Sequence, residues 1–414
     1  GWITRPTKRS NGNKGNPVHN QPPVKKIAPS LNGIVQPQAV TFKEPLLLDC
    51  GKSLPEITVA YETYGELSPA RDNAILVLQP LTKNAHAAGK HSESDVKNGW
   101  WEAAIGPGRM FDTNKYFVIS VDVLGGSGAT TGPASINPLT GQPYATDFPI
   151  VTIADMVRAQ RRLIEHFEIE QLYAVSGGCF GGQQALEWAI IYPERVRNAV
   201  VINTTAWTSA HTVAIFNIMR RLICDDPNWK DGHYYDGEFP LRGLANALTA
   251  AVPLWMSREV MEKKFGRRLH EREAYAYSFE TEFAVENFLQ GVGSRTGQSL
   301  DPNGLIYLMR AMEYFDLPRE YGSLEKALSS IQANVLLISY RTDWRYPSAE
   351  VQLMQDVLEA RGHNSAHIML DSADGHGAFL SDISGCAQAV RNFFARHQVA
   401  NAKSDLLTVG SGNV

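Results

Sequence analysis

Cysteine is scarce in this chain. Four occur in 414 residues: Cys50, Cys179, Cys224 and Cys386. They are scattered, with no CxxC pair. That excludes a zinc ribbon and a dense disulfide framework, and it points to a reducing compartment. No apolar run reaches the eighteen or so residues of a membrane span, so no membrane partner is expected. The formal net charge is -4, and the basic stripe that nucleic-acid binding needs is missing. There is no P-loop, no dinucleotide fingerprint and no metal-ligand spacing. No metal and no tightly bound cofactor are therefore expected. His86 and His91 lie in a Gly/Ala-rich stretch and read as loop residues rather than ligands.

What is present is ordinary globular composition, with 43% hydrophobic and 20% charged residues. The opening stretch, GWITRPTKRSNGNKGNPVHNQPPVKK, is polar and lacks apolar periodicity. Residues 1–45 are expected to form a flexible arm. The stretch has no apolar core of a secretory signal, so a cytoplasmic location is expected. Residues 401–414 are expected to be a tail.

From Leu46 onward, strand and helix patterns alternate. EITVAYETYG, NAILVLQP and KYFVISVDV read as strands, the last two apolar enough to be buried on both faces. TIADMVRAQRRLIEHF reads as an amphipathic helix, with Thr152 as its N-cap and Asp155 three residues on. QLYAVSGG, RNAVVINTT, ANVLLISYRT and HIMLDS are further strands, separated by helical patterns. The alternation predicts an α/β fold with a mostly parallel sheet flanked by helices, built from residues 46–205 and 324–400. Between them, residues 206–323 show helical patterns and no convincing strand. This segment is expected to be a lid over the carboxyl edge of the sheet, where such folds bind ligands.

One short stretch carries chemistry. In YAVSGGCFGGQQALEW, Gly177-Gly178-Cys179-Phe180-Gly181 has the form G-x-C-x-G and lies between a strand and a helix. This is the context of a nucleophile elbow, in which the glycines clear space and the helix N-terminus favours a thiolate. A buried structural cysteine in a Gly-rich corner would look the same. The residues that follow later in the chain separate the two readings. Asp343 follows the strand ANVLLISYRT, and His376 follows the strand HIMLDS. The order Cys, Asp, His is the one expected for this fold. His376 would take the thiol proton, and Asp343 would orient the ring. Backbone N–H groups of Phe180 and Leu81 are the candidates for an oxyanion hole, since Pro80 has no N–H.

These residues resemble the homoserine O-acetyltransferase family of the α/β-hydrolase fold. NGWWEAAIGPGRMFDTNKYFVIS, TGPASINPLTGQPYATDFPIVTIADMVRAQ, ALEWAIIYPERVRNAVVINTTA, EKKFGRRL and GHGAFL carry the likeness, over roughly Leu46 to His397. The resemblance implies ping-pong transfer of an acyl group, expected to be acetyl, from acetyl-CoA or another acyl-CoA to a hydroxyl. It also implies a homodimer formed through the helical lid. In VAIFNIMRRLI, Arg221 falls where the family places an arginine that grips the acceptor carboxylate. Arg220 stands beside it, and a solvated helix charge is the plainer alternative. The basic run KKFGRRLHER could face CoA phosphates, but a solvated lid helix is the preferred reading.

Three positions depart from the family pattern. Its nucleophile is ordinarily serine, where this chain has Cys179. Its catalytic histidine is usually followed by an acid that suits an ammonium, where this chain has Gly377. Its His-Ala-Leu-Thr loop is here Gln79-Pro80-Leu81-Thr82. The missing acid beside His376 opens the acceptor to homoserine or a related small metabolite. An esterase or thioesterase on the same scaffold is the competing activity, and a catalytically impaired homologue is a third reading.

Overall fold

The computed structural model describes residues 32–296 and 299–409. Its centre is an eight-stranded sheet. The strands are β1 (Gln38–Phe42), β4 (Ile57–Tyr64), β5 (Ala74–Leu78), β6 (Phe117–Val121), β7 (Ala174–Gly178), β8 (Asn198–Ile202), β9 (Asn334–Tyr340) and β10 (Ser365–Leu370), with a small separate hairpin of β2 (Leu46–Leu47) and β3 (Ser53–Leu54). The order is β1-β4-β6-β5-β7-β8-β9-β10. β1 and β4 pair antiparallel to their neighbours, and β6 through β10 run parallel. Strands β5 to β8 are buried at every residue, which is why their sequences are mostly apolar rather than alternating, with Ser120, Ser176 and Asn198 as the polar exceptions.

Parallel strands gather their carboxyl ends at one edge. Leu78, Gly178, Ile202, Tyr340 and Leu370 close β5, β7, β8, β9 and β10, so the loops after them meet above the sheet. This places the segments after Leu78, Gly178, Tyr340 and Leu370 on common ground, although they are far apart in sequence.

The helices settle against the sheet through specific polar ties as well as apolar packing. Helix Ile153–His166 begins with Thr152 as N-cap. The Thr152 side chain accepts from the Asp155 N–H, and the Asp155 carboxylate accepts from the Thr152 N–H, as the sequence predicts. Gln160 on this helix donates to Gln184 at 2.6 Å and accepts from the Trp188 indole at 2.8 Å, which locks it to helix Phe180–Ile191. All three side chains are buried, so each bond also spares a desolvated group.

Two expected boundaries move. The sheet takes up Gln38–Phe42, so ordered structure begins before Leu46 and the expected arm is shorter than 45 residues. β1 is an edge strand whose residues are exposed or half-buried, which leaves no strong alternation to read. Residues 1–31 lie outside the described residues. At the other end, helix Ile383–Val409 runs into the segment expected to be a tail.

Between β8 and β9 the chain is helical, with Ala210–Cys224, Leu241–Ala250, Val252–Trp255, Arg258–Lys264, Ala284–Thr296 and Pro302–Tyr314. Val252, Met256 and Phe265 form a small core of their own, against which Phe288 and Val292 pack. Arg220, on Ala210–Cys224, pairs with half-buried Glu313 on Pro302–Tyr314, and Arg310 pairs with the same carboxylate at 2.9 Å. That ion triad fastens the first of these helices to the last.

Candidate active site

Cys179 stands at the end of β7 and before helix Phe180–Ile191, with φ 59° and ψ −123°. This backbone conformation is unusual for a residue with a side chain, and such outliers concentrate at functional sites. The neighbouring glycines permit it by close approach. A Cβ on Gly177 would lie 2.5 Å from the backbone of Gly181, and one on Gly181 would lie 2.1 Å from the Leu78 carbonyl oxygen. Neither clash could be relieved by a side-chain rotation, so the strand–turn–helix corner requires both glycines. Thr204 secures the corner by donating to the Cys179 carbonyl at 2.6 Å.

Asp343 and His376 leave the ends of β9 and β10 and meet. Nδ1 of His376 lies 2.7 Å from Oδ2 of Asp343, with both side chains buried. The other carboxylate oxygen, Oδ1, accepts the backbone N–H groups of Arg345 at 3.0 Å and Tyr346 at 3.1 Å. The Asp343 carboxylate is thereby fixed in place, and the imidazole is fixed by it. Asn203, just beyond β8, donates to the His376 carbonyl at 3.1 Å and holds the loop from the other side. Among the described residues Nε2 of His376 makes no hydrogen bond; the ring lines the same cavity as Cys179, and its charge favours the thiolate.

The electrostatics follow from this crowding. Burial alone would push the Cys179 thiol up. The positive charges of Arg345 and His376 outweigh it, and a hydrogen bond from the Phe180 N–H adds to them, so the thiol is held down at about 7. Burial alone would push His376 down. Asp343 and the thiolate outweigh it and lift the imidazole to about 9. Between about 7 and about 9 the thiolate–imidazolium pair is the favoured state.

A cavity of about 300 Å³ opens above Cys179. Its floor includes Cys179, His376 and Gly377. Leu81, Thr82 and Lys83 line one wall, and Phe216, Met219, Leu254 and Trp255 descend from the helical segment. The lining is mainly apolar, with Arg345 as its buried cation and Lys83 as its exposed one.

The structure thus brings together Cys179, Asp343, His376, Phe180 and Leu81. It does not bring Arg221 to them. Arg221 is exposed on its helix, Arg220 is engaged with Glu313, and neither lines the cavity. The reason is helix phase: Phe216 and Met219 occupy the cavity-facing positions of Ala210–Cys224, and the arginines fall on other faces.

Two groups escaped sequence reading. Arg345 is 5% exposed, and its guanidinium lies 5.3 Å from the Phe216 ring centroid and 5.1 Å from that of Tyr346. Its only sequence signal is a basic residue two positions after the acid in RTDWRYP. The second group surrounds Glu62, buried on β4. Its carboxylate accepts from Tyr64 at 2.8 Å and lies 2.9 Å from His86 Nδ1 and 2.6 Å from His91 Nε2. Burial would raise the Glu62 carboxyl, but these hydrogen bonds outweigh it and hold the group below its usual range. Both histidines are in the loop as expected, and the loop is anchored through them to the sheet.

Sheet order, elbow corner and buried acid–imidazole pair define a protein of the α/β-hydrolase fold. The family model described as alpha/beta hydrolase fold matches residues 85–291. A homoserine O-acetyltransferase of Methanosphaera stadtmanae is 42% identical over 373 residues, spanning 90% of this chain and 76% of the relative. Among solved structures, homoserine O-acetyltransferase from Bacillus anthracis superposes with a TM-score of 0.82 at 32% identity, over 87% of this chain and 98% of that one. Esterase E22 superposes with a TM-score of 0.80 at 33% identity, over 87% of this chain and all (100%) of the other. The chain belongs to the homoserine O-acetyltransferase family, and it is an enzyme of the acyltransferase class.

Proposed function

We propose that the protein transfers an acyl group, most simply acetyl, from acyl-CoA to the hydroxyl of homoserine or a related small metabolite, through an acyl-enzyme on Cys179. The observation that supports this best is the His376 ring held between Asp343 and Cys179, on a strained elbow under an apolar cavity.

The steps balance as follows. The Cys179 thiolate attacks the thioester carbonyl, and the oxyanion is met by the N–H groups of Phe180 and Leu81. Collapse expels the CoA thiolate, which takes the proton from the His376 imidazolium. Neutral His376 then removes the proton of the acceptor hydroxyl as that oxygen attacks the acyl-enzyme. The second collapse releases the ester and restores the thiolate–imidazolium pair. Exchange of one thioester for another is nearly isoenergetic, so the first half needs little driving force. No tightly bound cofactor is required, and acyl-CoA acts as co-substrate. Lys83 at the cavity wall offers a cation to an anionic donor.

The reading carries two further parts. A cytoplasmic location is part of this proposal, in keeping with an acyl-CoA donor. Among the described residues, no helix is long and apolar enough to cross a membrane. A homodimer through the helical segment would cover some of its exposed aromatics, such as Tyr277 and Phe279. Light scattering on the purified chain tests the dimer.

Hydrolysis is the second reading, favoured by the likeness to esterase E22. Incubation with acetyl-CoA and homoserine, followed by separation of the O-acetyl product from free acetate, decides between them. Transfer predicts that the ester product exceeds acetate and grows with homoserine concentration. Acetate release unaffected by homoserine would establish hydrolysis.

A further inference from the structure

Among the described residues, Glu62, His86 and His91 form the one group of three metal-ligating side chains whose donor atoms all lie within 4.8 Å of one another. None of the three lines the cavity above Cys179. The carboxylate comes from β4, and both imidazoles come from the loop after β5. Each imidazole takes a different oxygen: His86 Nδ1 lies 2.9 Å from Oε2, and His91 Nε2 lies 2.6 Å from Oε1. The two rings are in contact, with centroids 4.0 Å apart and planes tilted by 46°. Two nitrogens and a carboxylate thus converge from three side chains.

Neighbouring groups hold this arrangement. The Tyr64 hydroxyl donates to Glu62 Oε2 at 2.8 Å and accepts the N–H groups of Ala87 and Ala88 at 3.0 Å each. The His86 N–H donates to Asn84 Oδ1 at 3.0 Å, and the His91 N–H donates to the Asp95 carboxylate at 2.8 Å. Both the acid and the backbone that carries the histidines are therefore oriented from outside the set, as outer partners orient metal ligands. Glu62 is buried, His86 is half-buried and His91 is exposed. The cluster opens to solvent on the His91 side, which gives an ion a way in and a water ligand a place.

We propose that Glu62, His86 and His91 bind a divalent transition-metal ion of the zinc type. Two imidazole nitrogens and a carboxylate, with a position left to water, suit Zn²⁺ better than the oxygen-seeking Mg²⁺ or Ca²⁺. Bonds of about 2.0–2.2 Å place tetrahedral donors roughly 3.3–3.6 Å apart, so the ion spreads the present contacts by about 1 Å or less. In each neutral ring the proton on the coordinating nitrogen moves to the other nitrogen as the ion replaces the hydrogen bond. The role is structural: the ion ties the loop to β4, and Leu81 to Lys83, earlier in that loop, line the cavity.

Equilibrium dialysis of the chelator-stripped chain against Zn²⁺ at pH 7.5, with thermal melting alongside, tests this. Wild type and Cys179→Ala should each take up a single Zn²⁺ per chain and gain Tm as it binds, which separates this site from the Cys179–His376 pair. His91→Ala and Glu62→Gln should bind roughly tenfold or more weakly, and the zinc-induced rise in Tm should shrink accordingly. Each variant is compared with its own metal-free melt, so a general loss of stability does not imitate the effect. His91→Cys in the Cys179→Ala background keeps a ligand. With Co²⁺ it should bind and show a thiolate-to-cobalt absorption band that Cys179→Ala lacks. If His91→Ala fails to fold, this band decides alone, and its absence contradicts the site. Zinc uptake by His91→Ala equal to that of wild type, loss of uptake in Cys179→Ala, or no zinc-dependent rise in the wild-type Tm would each overturn the proposal. The last outcome would leave the cluster as a hydrogen-bonded anchor only.

Discussion

The imidazole of His376 is held 2.7 Å from the Asp343 carboxylate by Nδ1, and the carboxylate is itself pinned by two backbone N–H groups. The arrangement leaves one tautomer or the imidazolium, with Nε2 outside the Asp343 contact and the ring lining the same cavity as Cys179. Asp343→Asn should therefore keep the fold and misorient the proton, with kcat reduced by about 10⁴-fold as in other acid–imidazole sites. His376→Ala should cost a similar factor. The double variant should be little worse than either single one, because the pair acts as a unit. Losses that are small and multiply together in steady-state kinetics would reduce both residues to structural roles.

The acylation half-reaction carries a pH signature. Thiolate content rises through about 7, so the rate of Cys179 acylation should climb there. The departing CoA thiolate needs a proton from His376, whose imidazole loses it near 9, so the rate should fall above that. Replacing Arg345 by Met removes a cation that favours the thiolate and should move the lower limb to higher pH. Stopped-flow release of CoA across pH 5–10 gives the profile. A lower limb unmoved by Arg345→Met would show that Arg345 does not act on the thiol.

How much of this was legible in the sequence depended on whether the information was local. The elbow could be read because strand, glycines and helix are contiguous around Cys179. Asp343 and His376 could be read because each directly follows a strand, and parallel strands deliver such positions to one edge. Arg345 could not, since an arginine in a loop reads as solvated until Phe216 and Tyr346 are seen to enclose it. The Glu62, His86 and His91 cluster joins a strand to a loop across more than twenty residues, and nothing in either segment announces the other. Arg221 failed for a finer reason: one residue of helix phase turns a side chain by about 100°. The edge strand Gln38–Phe42 was missed because its residues are exposed or half-buried and leave no pattern.

Gly377 lines the cavity next to His376, and a Cβ there would meet only the Trp255 carbonyl oxygen at 3.4 Å and its ring at 3.8 Å. An acid at this position is sterically admissible. Gly377→Asp should raise kcat/KM for homoserine relative to an N-acylated homoserine, by up to roughly a few kcal/mol if the ammonium–carboxylate pair is desolvated. An unchanged ratio would mean that the amine is read elsewhere.

Glu62 anchors the loop whose earlier residues, Leu81 to Lys83, line the cavity. Glu62→Leu would strip the acceptor from the buried Tyr64 hydroxyl and from both histidines. The expected cost is about 1–3 kcal/mol of stability, read as a lowered Tm, with a fall in kcat beyond what the lost stability explains. Unaltered Tm would show that the cluster does not support the loop.

The central claim is that Cys179 carries the acyl group. Its thiol is held low, whereas burial pushes Cys386 up to about 12 and raises Cys224. Intact-protein and peptide mass spectrometry after brief exposure to acetyl-CoA, without acceptor, tests this most directly. The account predicts one acetyl group on the peptide containing Cys179, discharged when homoserine is added and absent from Cys179→Ala. Acetylation at another cysteine, or full transferase activity in Cys179→Ala, would contradict it.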